Sequence, residues 1–346
     1  MCGTSRSDWV NVVIHDLAPR RVAVLGLGLI GGSLVRRLAA AGVAVTAYDA
    51  DPGTRAIART AAGRVGRAAG WSVTSSVAEA VEAAGTVVSA VPLPALGTVL
   101  RAVAATGYEG LLTDVTSVKG PAAALAAAHT PRARWVGGHP MAGTEHSGFA
   151  FSDPGLFEGA AWVLTLDGQT SVRDWAALAA LYTGIGARVV PATAAEHDAA
   201  AARISHLPHL VAAALAAGAA DGPAGPLALS LAAGSFRDGT RVAATRPELT
   251  AAMCGANAAA LRAELDALRS RLARMRHQLD AGDPVEALVP SLAAGHAVRA
   301  GWPAAPGEPE TVPVDAEALL AVGRAGGWVA AVAPDGRSVT VVRPAP

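Results

Sequence analysis

His139 is the side chain whose neighbours best equip it for chemistry. It lies in the stretch Gly137-Gly138-His139-Pro140-Met141-Ala142-Gly143-Thr144-Glu145-His146-Ser147-Gly148. Pro140 fixes one backbone dihedral, and the glycines permit conformations and close approaches that a side chain would forbid. Such a loop can hold a polar side chain at a seam between domains, where ligand pockets commonly lie. An imidazole there can accept a proton, since an ordinary histidine is largely neutral near pH 7. A histidine in a glycine-rich turn can equally be a hydrogen-bonded structural residue, and this stretch alone leaves both roles open.

Three further clusters carry polar chemistry. Ser117 and Lys119 follow a short apolar run ending at Asp114. They suit either an active-site edge or a helix cap with a solvated charge. Arg203, Ser205, His206, Pro208 and His209 fall within a helical pattern over residues 194–221. Pro208 cannot donate to the helix ladder and crowds the carbonyl of Ile204, so a kink is expected that could aim one histidine into a cleft. For His206 a structural role is the better reading. Residues 234–241 interrupt alanine-rich helices, and an arginine there, such as Arg241, can clamp a carboxylate with two parallel hydrogen bonds or pair with Asp238 on the surface.

The elements that must position these groups begin at residue 21. Residues 22–25 are a short apolar run, as in a strand buried on both faces. Gly26-Leu27-Gly28-Leu29-Ile30-Gly31 follows, then a helix over 33–41 closed by Gly42, then a strand over 43–48 ending at Asp49. This is the strand, G-x-G-x-x-G, helix, strand, acid arrangement of a dinucleotide-binding unit. Gly26 permits the tight turn, Gly28 lets a pyrophosphate reach the backbone, and Gly31 allows close helix packing. The N-terminus of that helix supplies unpaired N–H groups and a positive dipole end for the phosphates, with Leu29 and Ile30 in the turn before it. Asp49 is placed to accept hydrogen bonds from the adenosine ribose. A 2′-phosphate would meet Asp49 and Asp51 with like charge, which favours NAD over NADP, with Arg55 the one basic neighbour that could offset this.

Strands are expected at 86–90 and 111–114, the first running into a loop at Val91 and Pro92, and Trp135-Val136 leads as a strand into the His139 loop. In an open parallel sheet the loops at Pro92, Ser117 and His139 share the carboxyl edge where ligands bind. Strands at 161–166 and 187–190, around a helix from Asp174, are expected to extend that sheet. Leu261, Leu265, Leu268, Leu272, Met275 and Leu279 recur at alternating four- and three-residue steps, the seam of a helix pairing with another helix. Residues 284–310, rich in proline and glycine, read as a linker. A small α+β unit over 311–346 then ends in a hairpin around Pro334-Asp335-Gly336.

With 346 residues, 52% of them hydrophobic, the chain is long enough for two domains and a small extra unit. The expected division is an extension over 1–20, a nucleotide-binding domain over 21–192, a helical domain over 193–283, then the linker and final unit. The formal net charge is zero and there is no basic block, which argues against nucleic acid. Cys2 and Cys254 are too few for a disulfide framework or a thiolate metal site, and fit a reducing cytosol. No metal site is expected. The N-terminus lacks a signal-peptide apolar core, and the run over 210–220 is too short to span a bilayer. The composition reads as that of a cytoplasmic protein.

Taken together, five segments resemble the prephenate dehydrogenase family: residues 24–33, 114–119, 138–145, 205–209 and 236–241. They fall in the family's order and cover about residues 20–280. The resemblance implies an α/β fold, with a Rossmann domain followed by an all-helical domain that forms a homodimer. It implies NAD-dependent oxidation and decarboxylation of a cyclohexadienol. His139 would take the ring hydroxyl proton and Ser117 would orient that hydroxyl. Arg241 would bind a substrate carboxylate, with His209 and His206 lining the same pocket. Thr144, Glu145 and Asp238 would support or gate it, and Val91 and Pro92 would lie near the nicotinamide. Prephenate is the expected substrate. Arogenate, a 4-amino analogue, another β-hydroxy-acid dehydrogenase and a non-catalytic NAD sensor are the alternatives. The final unit is about half the size of the family's C-terminal ACT regulatory domain and does not match it.

Overall fold

A computed structural model describes residues 17–65, 70–144 and 146–345. Most of the expected N-terminal extension therefore lies outside the described residues. In chain order, the first sheet and its helices are β1 (Arg21–Leu25), α1 (Leu29–Ala40), β2 (Ala44–Tyr48), α2 (Pro52–Val65), β3 (Trp71–Val73), α3 (Val77–Val81), β4 (Thr86–Ser89), α4 (Leu93–Ala104), β5 (Leu111–Asp114), α5 (Gly120–His129) and β6 (Arg134–Val136). There follow β7 (Gly138–Pro140), β8 (Ala161–Thr165), α6 (Val172–Gly184), β9 (Arg188–Ala192) and α7 (Ala194–Ala201). The helical region comprises α8 (Leu207–Ala220), α9 (Gly225–Ser230), α10 (Gly234–Thr240), α11 (Pro247–Ala256), α12 (Ala258–Gln278) and α13 (Pro284–Ala300). The chain closes with β10 (Glu310–Pro313), α14 (Ala316–Arg324), β11 (Trp328–Val332) and β12 (Ser338–Val342).

The first sheet has the order β3-β2-β1-β4-β5-β6 and every pairing is parallel. This is the doubly wound order, with its switch point between β1 and β4. Val22 and Val24 pack into one core while Ala23 and Leu25 pack into another, so β1 is buried on both faces. An unbroken apolar run is what such a strand requires. After β4 the chain runs through the expected loop at Val91 and Pro92, and Pro92 occupies the N-cap position of α4.

The strands expected to extend this sheet instead form a second one, β10-β12-β11-β9-β8-β7. The chain leaves the first sheet between β6 and β7, and β7 then pairs antiparallel with β8. A side chain on Gly138 would sit 2.6 Å from the Asp114 carbonyl oxygen, so only glycine fits this crossing. The C-terminal segment is likewise not a separate body. Leu319, Val322, Val329, Val339 and Val341 share one core with Trp162, Trp175 and Tyr182. At Gly323, α14 approaches β9 so closely that an added Cβ would lie 1.8 Å from the Pro191 carbonyl oxygen.

The chain therefore divides into one unit ending at His197 and rejoined by Glu308–Arg343, and a second running over Asp198–Gly307. By packing, the first boundary falls inside α7, between His197 and Asp198. Within the helical unit, a π-helical turn over Ala202–His206 precedes α8, whose first turn holds Pro208. The expected kink takes this form because the proline leaves a carbonyl without its usual donor. Residues 284–300, expected as linker, form α13: the Asp283 carboxylate accepts from the Glu286 N–H at 3.1 Å, and Pro284 sits in the first turn, where proline is tolerated. The leucine seam of α12 splits. Leu261 is buried and Leu265 and Leu268 pack beside it, whereas Leu272 and Leu279 are 54% and 58% exposed.

Candidate active site

The glycine-rich turn is built around backbone contacts that leave no room for side chains except where a ligand would approach. Gly26 has φ +102°, and a Cβ there would meet the Ala90 carbonyl oxygen at 2.5 Å and Val91 Cγ1 at 2.8 Å. A Cβ on Gly31 would lie 1.9 Å from the Gly26 carbonyl oxygen. Gly28 is different: nothing lies within 4 Å of its would-be Cβ. Leu29 and Ile30 form the first turn of α1, which carries no acidic residue to neutralise its N-terminus. The turn thus offers an open backbone surface and a helix dipole to a pyrophosphate. Val91, two residues past the end of β4, lies against the same turn through its Cγ1, and Pro92 follows it.

At the tip of β2, Asp49 accepts from the Leu27 N–H at 2.7 Å through one carboxylate oxygen and from the Asp51 N–H at 2.8 Å through the other. It fixes the turn while keeping a second lone pair on each oxygen. Arg55 donates to the carbonyls of Asp49 and Ala50 at 2.6 and 3.0 Å and lies over the Tyr48 ring. Its guanidinium is held by backbone at the end of the strand.

His139 is carried on the short strand β7 rather than in a loop, and is half-buried. A buried ion pair anchors that strand. Lys119 Nζ lies 2.6 Å from Asp114 Oδ2 and donates to the Gly138 carbonyl at 2.5 Å. Asp114 Oδ1 accepts from the Gly138 N–H at 3.0 Å, and its Oδ2 accepts from the Thr116 N–H and hydroxyl. Lys119 is therefore not a solvated charge, and although it stands at the N-cap of α5 its side chain makes no capping bond. Ser117, partly exposed, lies on the loop between these two anchors.

The ring of His139 meets a residue that the sequence reading did not single out. His139 Nδ1 and His197 Nε2 are 2.8 Å apart, with the rings edge to face at 5.0 Å. His197 is buried in the first turn of α7. The start of that helix is a capping box: Thr193 Oγ1 accepts from the Glu196 N–H at 3.2 Å, while Glu196 Oε2 accepts from the Thr193 N–H at 2.9 Å. That backbone bond, aided by Arg324, holds the Glu196 carboxyl below its ordinary pKa. The T-x-x-E spacing is the legible signal that locates the helix start. Nothing local links His197 to a partner 58 residues away.

In the helical unit, Arg241 begins a 3₁₀ turn directly after α10, and Asp238 lies within α10; both are exposed. His209 is half-buried on α8. Burial holds its pKa below the ordinary imidazole value, a bond to the Val242 backbone opposes this, and the Arg241 charge reinforces it. His209 and Arg241 are thus neighbours. His206 is not part of this group. It is fully buried, with Nδ1 3.1 Å from Asn257 Nδ2, and Asn257 also donates to the Asp198 carbonyl at 2.7 Å. This is a core histidine tying α12 to the π turn, which corrects its assignment to substrate. Thr144 is exposed and its hydroxyl accepts from the His146 N–H at 3.2 Å. Glu145 lies outside the described residues. Among the described residues, no cluster of histidine, cysteine or carboxylate groups could hold a metal ion, and no helix is long and apolar enough to cross a membrane.

Known proteins resemble this chain over about three quarters of its length or more. Residues 34–191 match the family model for the prephenate dehydrogenase nucleotide-binding domain, and residues 193–293 that for the prephenate dehydrogenase dimerization domain. A cyclohexadienyl dehydrogenase of Zymomonas mobilis is 34% identical over 270 residues, covering 76% of this chain and 90% of its own. Among solved structures, arogenate dehydrogenase of Synechocystis is 30% identical with a TM-score of 0.68, covering 82% of this chain and 99% of its own. Prephenate dehydrogenase of Aquifex aeolicus, in complex with hydroxyphenyl propionate and NAD+, is 25% identical with a TM-score of 0.72, covering 81% and 97%.

Proposed function

This chain belongs to the prephenate dehydrogenase family, and from that premise we propose that it oxidises and decarboxylates prephenate to 4-hydroxyphenylpyruvate with NAD. The observation that carries the reading is a partly exposed His139 on a strand clamped by the Asp114–Lys119 pair, in a unit that also holds an open glycine-rich turn. The cofactor supplies the hydride acceptor. His139 takes the proton of the ring hydroxyl, and Ser117 orients that hydroxyl. The ring carboxylate leaves as carbon dioxide, and aromatisation drives the step. Arg241 binds a substrate carboxylate. Beside it, the depressed pKa of His209 keeps that imidazole neutral near pH 7.

Asp49 supports NAD over NADP. Its carboxylate meets the adenosine ribose, and Arg55 is drawn onto the Asp49 and Ala50 carbonyls rather than left to receive a 2′-phosphate. The dimerisation-domain match and the exposed half of the α12 seam support a homodimer. Arogenate is the second reading, favoured by the likeness to the Synechocystis enzyme.

The test is cofactor reduction by purified protein, with prephenate and arogenate in parallel and with NAD and NADP for each. Turnover of prephenate with NAD is expected. Turnover of arogenate alone would replace the substrate assignment. Silence with both substrates, alongside measurable NAD binding, would overturn the reading.

A further inference from the structure

We propose that His197 is a positioning residue that holds His139 in the tautomer needed to accept a proton. The inference rests on the role given to His139 above. Their ring nitrogens, His139 Nδ1 and His197 Nε2, are 2.8 Å apart, and one proton must lie between them for a hydrogen bond to form. If it belongs to His139 Nδ1, then Nε2 of His139 carries the lone pair and can accept the substrate hydroxyl proton. If it belongs to His197, the neutral His139 carries its proton on Nε2 and cannot act as base there. The first arrangement is the competent one. It has a second benefit, because an acceptor at Nδ1 stabilises the imidazolium that forms on proton uptake, as an orienting carboxylate does in a Ser-His-Asp triad.

The surroundings hold His197 as firmly as they hold His139. The Thr193–Glu196 capping box fixes the first turn of α7, and Arg324 Nε binds Glu196 Oε1 at 2.6 Å from α14. The His197 N–H donates to the Thr193 carbonyl at 2.9 Å. On the other side, Asp114 and Lys119 grip both backbone groups of Gly138, the residue before His139. The two rings are therefore set by two independent frames. Misplacing a catalytic group by about 1 Å costs on the order of 10²-fold in rate.

Two variants separate positioning from packing. In His197→Gln a side-chain amide oxygen can replace Nε2 as acceptor, whereas His197→Leu fills the space and cannot accept. The His197→Leu protein should lose turnover on the order of 10²-fold with NAD affinity and KM little changed, and His197→Gln should recover most of it. Nitrogen-15 NMR of the imidazoles reports the tautomer directly and needs no substrate. Wild type should show His139 protonated at Nδ1, and His197→Leu should lose that preference. An Nδ1-unprotonated His139 in wild type, or full turnover in His197→Leu, would overturn the inference. Failure of wild type to oxidise either cyclohexadienol would instead count against the proposed function and leave the NMR result to judge the dyad.

Discussion

Lys119 Nζ lies 2.6 Å from Asp114 Oδ2 with both side chains fully buried, and the same ammonium binds the Gly138 carbonyl. Breaking a buried pair by removing one partner leaves an uncompensated charge and costs about 3–5 kcal/mol. Lys119→Met should therefore lower the melting temperature clearly and reduce turnover by freeing the His139 strand. Adding Asp114→Asn to it should recover part of the stability. An unchanged melting temperature in the single variant would show that the pair anchors nothing.

Replacing His139 with asparagine removes the proton acceptor while keeping a polar side chain. Turnover should fall by a factor on the order of 10² to 10⁴, the usual share of general base catalysis, with NAD binding retained. Steady-state kinetics together with cofactor titration by fluorescence check both halves. Wild-type turnover would remove His139 from the chemistry.

Arg241→Ala tests the carboxylate clamp. A clamp made equally in ground and transition states shows itself in KM rather than kcat. KM for prephenate should rise with kcat largely kept. If KM stays at the wild-type value, Arg241 does not contact the substrate.

The proposed preference for NAD rests chiefly on Asp49. In Asp49→Ser the like-charge barrier to a 2′-phosphate is lowered, with Asp51 remaining, so the ratio of kcat/KM for NAD over NADP should fall. Because Asp49 also accepts from the Leu27 N–H, some loss of NAD affinity should accompany the change. A ratio unmoved by the substitution would place cofactor discrimination elsewhere.

The exposed part of the α12 seam is expected to be covered by a second copy of the chain. Leu272→Glu combined with Leu279→Glu should give a monomer in sedimentation velocity where the wild type sediments as a dimer. A dimeric double variant would exclude this face.

The nucleotide-binding half was legible because its signals are local. A buried strand, three glycines and an acid at the next strand end are each dictated by contacts within some thirty residues, and Gly26, Gly28, Gly31 and Asp49 take the positions their spacing implies. The second sheet was illegible for the opposite reason. Strands β8 and β9 have the same apolar character in either sheet, and what diverts them is the crossing at Gly138 against the Asp114 carbonyl. Residues 284–300 read as linker because proline usually breaks helices, whereas Pro284 sits in a first turn capped by Asp283 and α13 carries Pro290 within it. Lys119 and His206 are polar residues that only tertiary contacts reveal as buried, one in an ion pair with Asp114 and the other beside Asn257. His197 was missed since a lone histidine on an alanine-rich helix has no periodicity to betray its partner.

The helical unit interrupts the unit that carries His139, which resumes only at Glu308. On the ribosome this imposes an order of events. The first sheet has all its strands once β6 has emerged, but β9 must wait for β11, and Glu196 for Arg324, until the last strands are made. At ordinary synthesis rates that interval is on the order of ten seconds. Throughout it the nascent chain carries the open edge of β9, so the C-terminal strands act as the closing piece of a half-built sheet.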